Sequence, residues 1–356
     1  VGASSEDEDA AGMNTANGAG SAYIFSQNEG GPNNWGQVKK IVASDRAAND
    51  NFGTSVAISG GTVVVGASSE DEDAAGMNTI SDAGSAYVFS QNGGGANNWG
   101  QYQKIALSES AVNQYYGWSV AMDGEYAVVG AIREPTDATG ANAILHTGAA
   151  YIVRNISGTW TEIKKLVAAD RAASDRFGYS VAISGNTVVV GAYLEDEDAA
   201  GMNTATDAGA AYIFNKDKGG ANNWGEVKKL VASDRAADDQ FGYSVAISGT
   251  TVVVGAYFED EDAAEANTAL QAGAAYVFSK DQDGVDNWGQ VKKLVAGDRA
   301  VNDQFGTSVA ISGGTVVVGA SREDEDASGG STSTDAGSAY IFSQNEGGAN
   351  NWGQVK

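Results

Sequence analysis

Asp196, Asp198, Gly201, Thr204 and Asp207 stand at positions 1, 3, 6, 9 and 12 of one acidic stretch. That spacing matches an EF-hand-like calcium loop, in which alternating oxygens point inward and a central glycine permits the sharp turn. It recurs at Asp71, Asp73, Gly76, Thr79 and Asp82, and again at Asp324, Asp326, Gly329, Thr332 and Asp335. Holding Ca2+ with hard oxygen donors is therefore the first chemistry the chain offers. Position 5, which should carry a further oxygen, is Ala75, Ala200 or Ser328, and position 12 is Asp, less suited than Glu to bidentate ligation. Gly18 and Gln271 replace the last carboxylate in two other copies, and a third keeps only Asp137 of the acidic run. The competing reading is a solvated acidic loop that keeps the chain soluble.

Two more constellations repeat. Trp35, Trp99, Trp224, Trp288 and Trp352 each follow asparagine. Exposed, such a Trp would stack on the apolar face of a sugar while amides bond its hydroxyls; buried, it would close the end of a hairpin. Asp-Arg pairs precede Phe-Gly, as in Asp45, Arg46 and Asp50, or Asp170, Arg171 and Asp175, or Asp234, Arg235 and Asp239, or Asp298, Arg299 and Asp303. The pair could grip a carboxylate or sugar. The structural reading has Arg pairing with a neighbouring unit's carboxylate and the second Asp capping the turn. His146 lies in the irregular third unit with Pro135, and Trp118 replaces the Thr or Tyr found after Phe-Gly elsewhere. That unit is the natural place for a unique site, for which the sequence names no ligand.

Composition removes most other chemistry. The 356 residues hold 46 acidic against 21 basic side chains, a net charge of −25, which opposes nucleic-acid partners. Without cysteine there is no thiol nucleophile or thiolate metal site, and one histidine argues against a zinc site or a Ser/His/Asp triad. No apolar run is long enough for a membrane-spanning helix. Carboxylate pairs for a polysaccharide-active enzyme are available, but near-identical units do not suggest one asymmetric active site.

The elements that position these residues follow from repetition. Val-Gly-Ala starts at Val1, Val65, Val129, Val190, Val254 and Val318, with spacings of 64, 64, 61, 64 and 64. Each unit runs FG-x-SVAISG, a short turn, TVVVGA, the acidic loop, GSAYIF, a Gly/Asn loop and WGQVKKLVASDRA. The first two runs read as β-branched strands buried on both faces and joined by a tight hairpin. Ala86 to Phe89 gives a third strand, and Gln101 to Ala106 a more polar, outer fourth. No segment shows a sustained helical period. Four-stranded antiparallel units at a fixed period predict an all-β fold, a β-propeller; a β-solenoid is the competitor, with rungs much shorter than 64 residues.

Phe52-Gly53, Phe177-Gly178, Phe241-Gly242 and Phe305-Gly306, with Tyr116-Gly117 as a variant, combined with the Val-Gly-Ala strands, resemble FG-GAP repeats over essentially the whole chain. Such repeats build the propeller of integrin α-subunits and occur in many microbial surface proteins. The resemblance implies a non-enzymatic, extracellular or cell-surface adhesion module with a protein or glycan ligand. The family's calcium loop between the first two strands has no counterpart here, because that connection is only SGGT, SGNT or SGTT. Arithmetic predicts one domain over 1–356 with five complete blades and one incomplete, a fragment of a longer array being the alternative. Val1 already lies inside the motif, so any signal segment would lie upstream. The loop between strands two and three should share a face with the blade-to-blade linker. Calcium-assisted adhesion through that acidic face is the leading expectation, and a lectin using the Trp/Asn loops is the alternative.

Overall fold

The computed structural model describes residues 1–73, 76, 79–107, 109–285, 287–325 and 333–356. Of the expected ligands, Asp326 and Thr332 lie outside the described residues, as do Gly329 and Ser328. The described chain is all-β, a propeller of six blades: five sheets of four strands and one of three. It divides into two compact units, Val1–Val167 and Ala168–Lys356. The first contains the three-stranded blade (2–41) and the blades at 52–105 and 116–166; the second contains those at 180–230, 241–294 and 305–354. They are called blades 1 to 6 below.

Blade 5 shows why the residues fold this way. Its strands are Phe241–Ser248, Thr251–Ala256, Ala274–Ser279 and Gly289–Leu294, each paired antiparallel with the next. Gly249, at φ +58°, makes the two-residue turn between Ser248 and Thr251, a conformation that costs glycine nothing. Val252, Val253 and Val254 are all fully buried. Alternation sends Val252 and Val254 into a core with Phe241, Tyr276 and Trp288, and Val253 into a second core with Phe305, Val316 and Val318. A strand serving two cores has no polar face, which explains the uninterrupted valines. The first strand departs from the expected burial on both faces. It is a sheet edge, and in blade 2 Val56 and Ile58 are 37% and 59% exposed.

The Phe-Gly and Val-Gly-Ala signatures meet at the joint between blades. A Cβ on Gly255 would sit 2.1 Å from the carbonyl oxygen of Gly306, and one on Gly66 or Gly191 would sit 1.9 or 2.0 Å from that of Gly117 or Gly242. Ser244 Oγ donates to the Gly306 carbonyl at 2.8 Å, and Ser55 and Ser180 do the same to Gly117 and Gly242. The Phe-Gly turn carries a register shift between Phe241 and Ser244, with Gly242 at φ +94°. The phenylalanine itself is buried edge-on against Tyr276 and Phe278. One motif supplies the carbonyl and the other the gap that receives it.

Candidate functional site

Just beyond the second strand a tight turn carries a glutamate inward. Glu259 donates its N–H to the Ala256 carbonyl at 3.2 Å and is fully buried. Its Oε2 accepts the Tyr276 hydroxyl at 2.7 Å, and its Oε1 accepts the Glu261 N–H at 2.9 Å and lies 3.2 Å from Lys293 Nζ. Lys293 also reaches Asp234 Oδ2 at 2.6 Å. Blades 2 and 4 repeat the quartet: Lys104 lies 2.8 Å from Asp45 and 3.1 Å from Glu70, and Lys229 lies 2.7 Å from Asp170 and 3.1 Å from Glu195. Buried charges persist only when paired and hydrogen-bonded, as these are. The lysine, expected on a solvated outer strand, turns inward because a bulge between Val277 and Phe278 shifts the register of the fourth strand.

A second buried carboxyl adjoins each quartet. Asp239 Oδ2 accepts the Ala236 N–H at 2.6 Å, and Asp50 and Asp175 accept from Ala47 and Ala172 at 2.5 Å. These are the turn caps expected before Phe-Gly. Burial, reinforced by Glu259, pushes Asp239 up to about 8; burial and then Glu195 push Asp175 to about 8; burial raises Asp50 to about 7.

Around Asp170 the charge concentrates further. Asp170, Glu195 and Glu197 each offer a carboxylate oxygen, all within 4.8 Å of one another, a spacing that could hold a metal ion. The Lys229 ammonium touches two of the three. None of these residues was singled out as a ligand from sequence. The usable signal was the first glutamate of each EDED run, recurring with a Tyr and a second Lys at fixed distances.

The structure uses the acidic-loop residues differently from a calcium loop. Position 1 meets position 12 through the main chain: Asp82, Asp207 and Asp335 donate N–H to the side chains of Asp71, Asp196 and Asp324 at 2.8, 2.8 and 2.6 Å. Gly18 and Gln271 donate in the same way to Asp7 and Asp260. Position 12 is left-handed in every blade, at φ +51° for Asp82 and Asp207, +52° for Asp335 and +57° for His146. The conformation and the N–H matter there, so Gly, Gln, Asp and His are all found. Position 3 anchors the loop tip: Asp198 Oδ1 accepts from Ala200 and Met202, and Oδ2 from Asn203 Nδ2 at 2.5 Å. The Met202 N–H, foremost, holds Asp198 down at about 2. Asp73 occupies the same position in blade 2, and Asp137 in blade 3 keeps the role with Thr139, Ala141 and Asn142. Thr79 and Thr204 bridge across the loop to Glu72 and Glu197.

The linker arginines clip these loops. Arg235 donates to the carbonyls of Asp196, Asn203 and Ala205, and Arg299 to those of Asp260 and Asn267. Their partners are main-chain carbonyls, where sequence suggested carboxylates. The tryptophans are placed differently too. Trp99, Trp224, Trp288 and Trp352 are buried in the packing between strands, and Trp35 alone is exposed, at 66%. A stacking surface repeated over all five is therefore absent.

Blade 3 breaks the pattern on every side of its quartet. Glu109 replaces the linker Asp, Ser110 the Arg, Gln114 the buried Asp, Pro135 the position 1 Asp and Thr136 the glutamate after it. Gln114 Nε2 donates to Glu134 Oε2, while Lys165 Nζ lies 2.9 Å from Glu134 Oε1 and 2.5 Å from Thr136 Oγ1. Burial raises Glu134, but Thr136 and Lys165 outweigh it and hold the carboxyl below its usual range. Burial pushes Glu162 up against the pull of Lys165, with the negative charges of Glu134 and Glu109 adding to the rise. Beside these groups opens a cavity of about 460 Å³.

Comparison with known proteins bears on the repeat itself. The FG-GAP repeat family model matches residues 35–89, 99–153, 160–214, 224–278 and 288–342, more than half of the chain. No curated protein matches it significantly. Each matched segment runs from an outer strand through a Phe-Gly turn (Tyr116-Gly117 in the second) and a Val-Gly-Ala strand into a third strand, and so spans one joint. FG-GAP propellers are non-catalytic modules. With its joints built from these two signatures and most of its length covered by five matches, the chain belongs to the FG-GAP repeat family.

Proposed function

We propose that the chain is an extracellular or cell-surface adhesion module that engages a protein or glycan partner, with Ca2+ strengthening its acidic, loop-bearing end. The observation that carries the reading is the cluster of Asp170, Glu195 and Glu197, whose oxygens lie within 4.8 Å of one another. Hard carboxylate oxygens suit Ca2+ better than softer transition metals. The loop carboxylates Asp196 and Asp198 are the weaker candidates, because a cation there would compete with N–H donors that already fill them. At the cluster the competitor is Lys229. Among the described residues no helix is long and apolar enough to cross a membrane.

Thermal melting in Ca2+ and in chelator tests the cation. Binding to the folded state alone stabilises by about 2.7 kcal/mol when the free ion is a hundred times its dissociation constant. Lys229→Met removes the competing ammonium and should enlarge the difference between the two melts. Coincident melts for both proteins would reject calcium. The lectin reading through Trp/Asn loops is not carried further, since four of those five rings are buried.

A further inference from the structure

The cavity in blade 3 is matched to a ligand by its unspent hydrogen-bonding groups. In blades 2, 4 and 5 the quartet lysine spans two carboxylates, one of them from the linker. In blade 3 the linker acid is Glu109, one methylene longer. Its Oε2 lies over the loop rim, 3.1 Å from where a Cβ of Gly140 would stand. Among the described residues no ion pair joins it to Lys165. Beside the lysine lies the 460 Å³ cavity, which Glu109 lines from the linker side and whose volume is within the usual size for small-molecule sites.

Lys165 spends two of its three N–H groups on Glu134 and Thr136, and it lines the cavity. Glu109 and Glu162 line it as acceptors, and Leu107 and Ile163 add apolar wall. The full charged lining is Glu109, Glu134, Glu162, Lys164 and Lys165, so a simple cation would meet two ammonium groups and a simple anion three carboxylates. A hydroxyl both donates and accepts, so a ring bearing several satisfies both kinds of group at once. We propose that the blade 3 cavity binds a neutral sugar unit, one or two rings in size, through Lys165, Glu109 and Glu162. This site deepens the binding reading above, by naming a glycan as the partner's chemistry, but does not depend on calcium.

The test is calorimetric and saturation-transfer NMR titration of the whole chain, in chelator, with glucose, galactose, mannose and N-acetylglucosamine. Glucosamine and glucuronate serve as charged arms. At least one neutral sugar should bind. Glu162→Gln should weaken it about tenfold, the loss of one charge-assisted hydrogen bond. Ala138→Trp, on the exposed rim, should abolish binding while the melting temperature stays unchanged. The proposal is overturned if no neutral sugar binds, if only the charged sugars do, or if binding survives Ala138→Trp. A calcium-dependent melt with no sugar binding would sink this inference and leave the cation reading standing.

Discussion

Gly255→Ala probes the joint directly. The added Cβ would lie 2.1 Å from the Gly306 carbonyl oxygen and 2.4 Å from Ser244 Oγ, more than an ångström inside ordinary contact. Both obstacles belong to packed elements, and Ser244 must abandon its 2.8 Å bond to that carbonyl to make room. Overpacking of this kind costs about 1–3 kcal/mol, and the lost hydrogen bond about 0.5–1.5 kcal/mol more. The sum, roughly 3 kcal/mol, should lower the melting temperature of the unit holding blades 4 to 6 by about 6–12 °C. Gly319→Ala is the internal control. It is the equivalent glycine of blade 6, and the close atom there is Ser308 Oγ at 2.5 Å, the movable end of a side chain. Its cost should stay below about 1 kcal/mol. Circular-dichroism melts of the two variants beside the parent settle the matter. Equal losses, or a Gly255→Ala melt within a degree of the parent, would refute the steric account of the joint.

Asp207→Gly should be neutral or slightly stabilising by thermal melt, because φ +51° suits glycine and the N–H to Asp196 remains; any calcium response should also persist. Arg235→Ala removes three carbonyl contacts from the loop it clips, so amide exchange over 196–205 should quicken at least several-fold by mass spectrometry while the core stays protected. Asp239 holds a proton in the folded chain up to about pH 8, and the unfolded chain releases it near pH 4. Its contribution is therefore complete below about pH 4 and lost as pH climbs to about 8, at about 1.4 kcal/mol per unit. Unfolding free energies from urea titrations between pH 5 and 8 should fall as pH rises, and Asp239→Asn should remove about that much of the slope, the remainder coming from Asp175 and Asp50.

Blade architecture was legible because Val-Gly-Ala and Phe-Gly recur at a nearly constant spacing, and because unbroken valine runs leave no solvent face. The tight Gly-Thr and Gly-Asn turns likewise fixed the hairpins. The quartets were not legible, since their lysine looks solvent-facing until a bulge in the outer strand turns it around. Carboxylates in one short run also differ in fate. Glu195 is buried with Lys229 and Tyr212, Asp196 secures the Asp207 N–H and Asp198 anchors the loop tip. Spacing alone could not separate those roles, because calcium loops and self-capped loops both place acids at alternate positions. The tryptophans failed for a related reason, as ring burial depends on the strand that lies over it. Blade 3 was recognisable as irregular, but its cavity is formed where linker, acidic loop and outer strand meet, which spacing along the chain does not show.

The joint also constrains how such a chain can change over evolutionary time. Its docking element is a glycine carbonyl received by a glycine and a serine, with no side chain that distinguishes one neighbour from another. Units that keep these residue types can therefore follow one another through the same backbone contact, and copying a segment of about 64 residues supplies a neighbour that carries both halves of it. Novelty is then free to accumulate in one copy's loops while its siblings keep the scaffold, which is the pattern blade 3 displays.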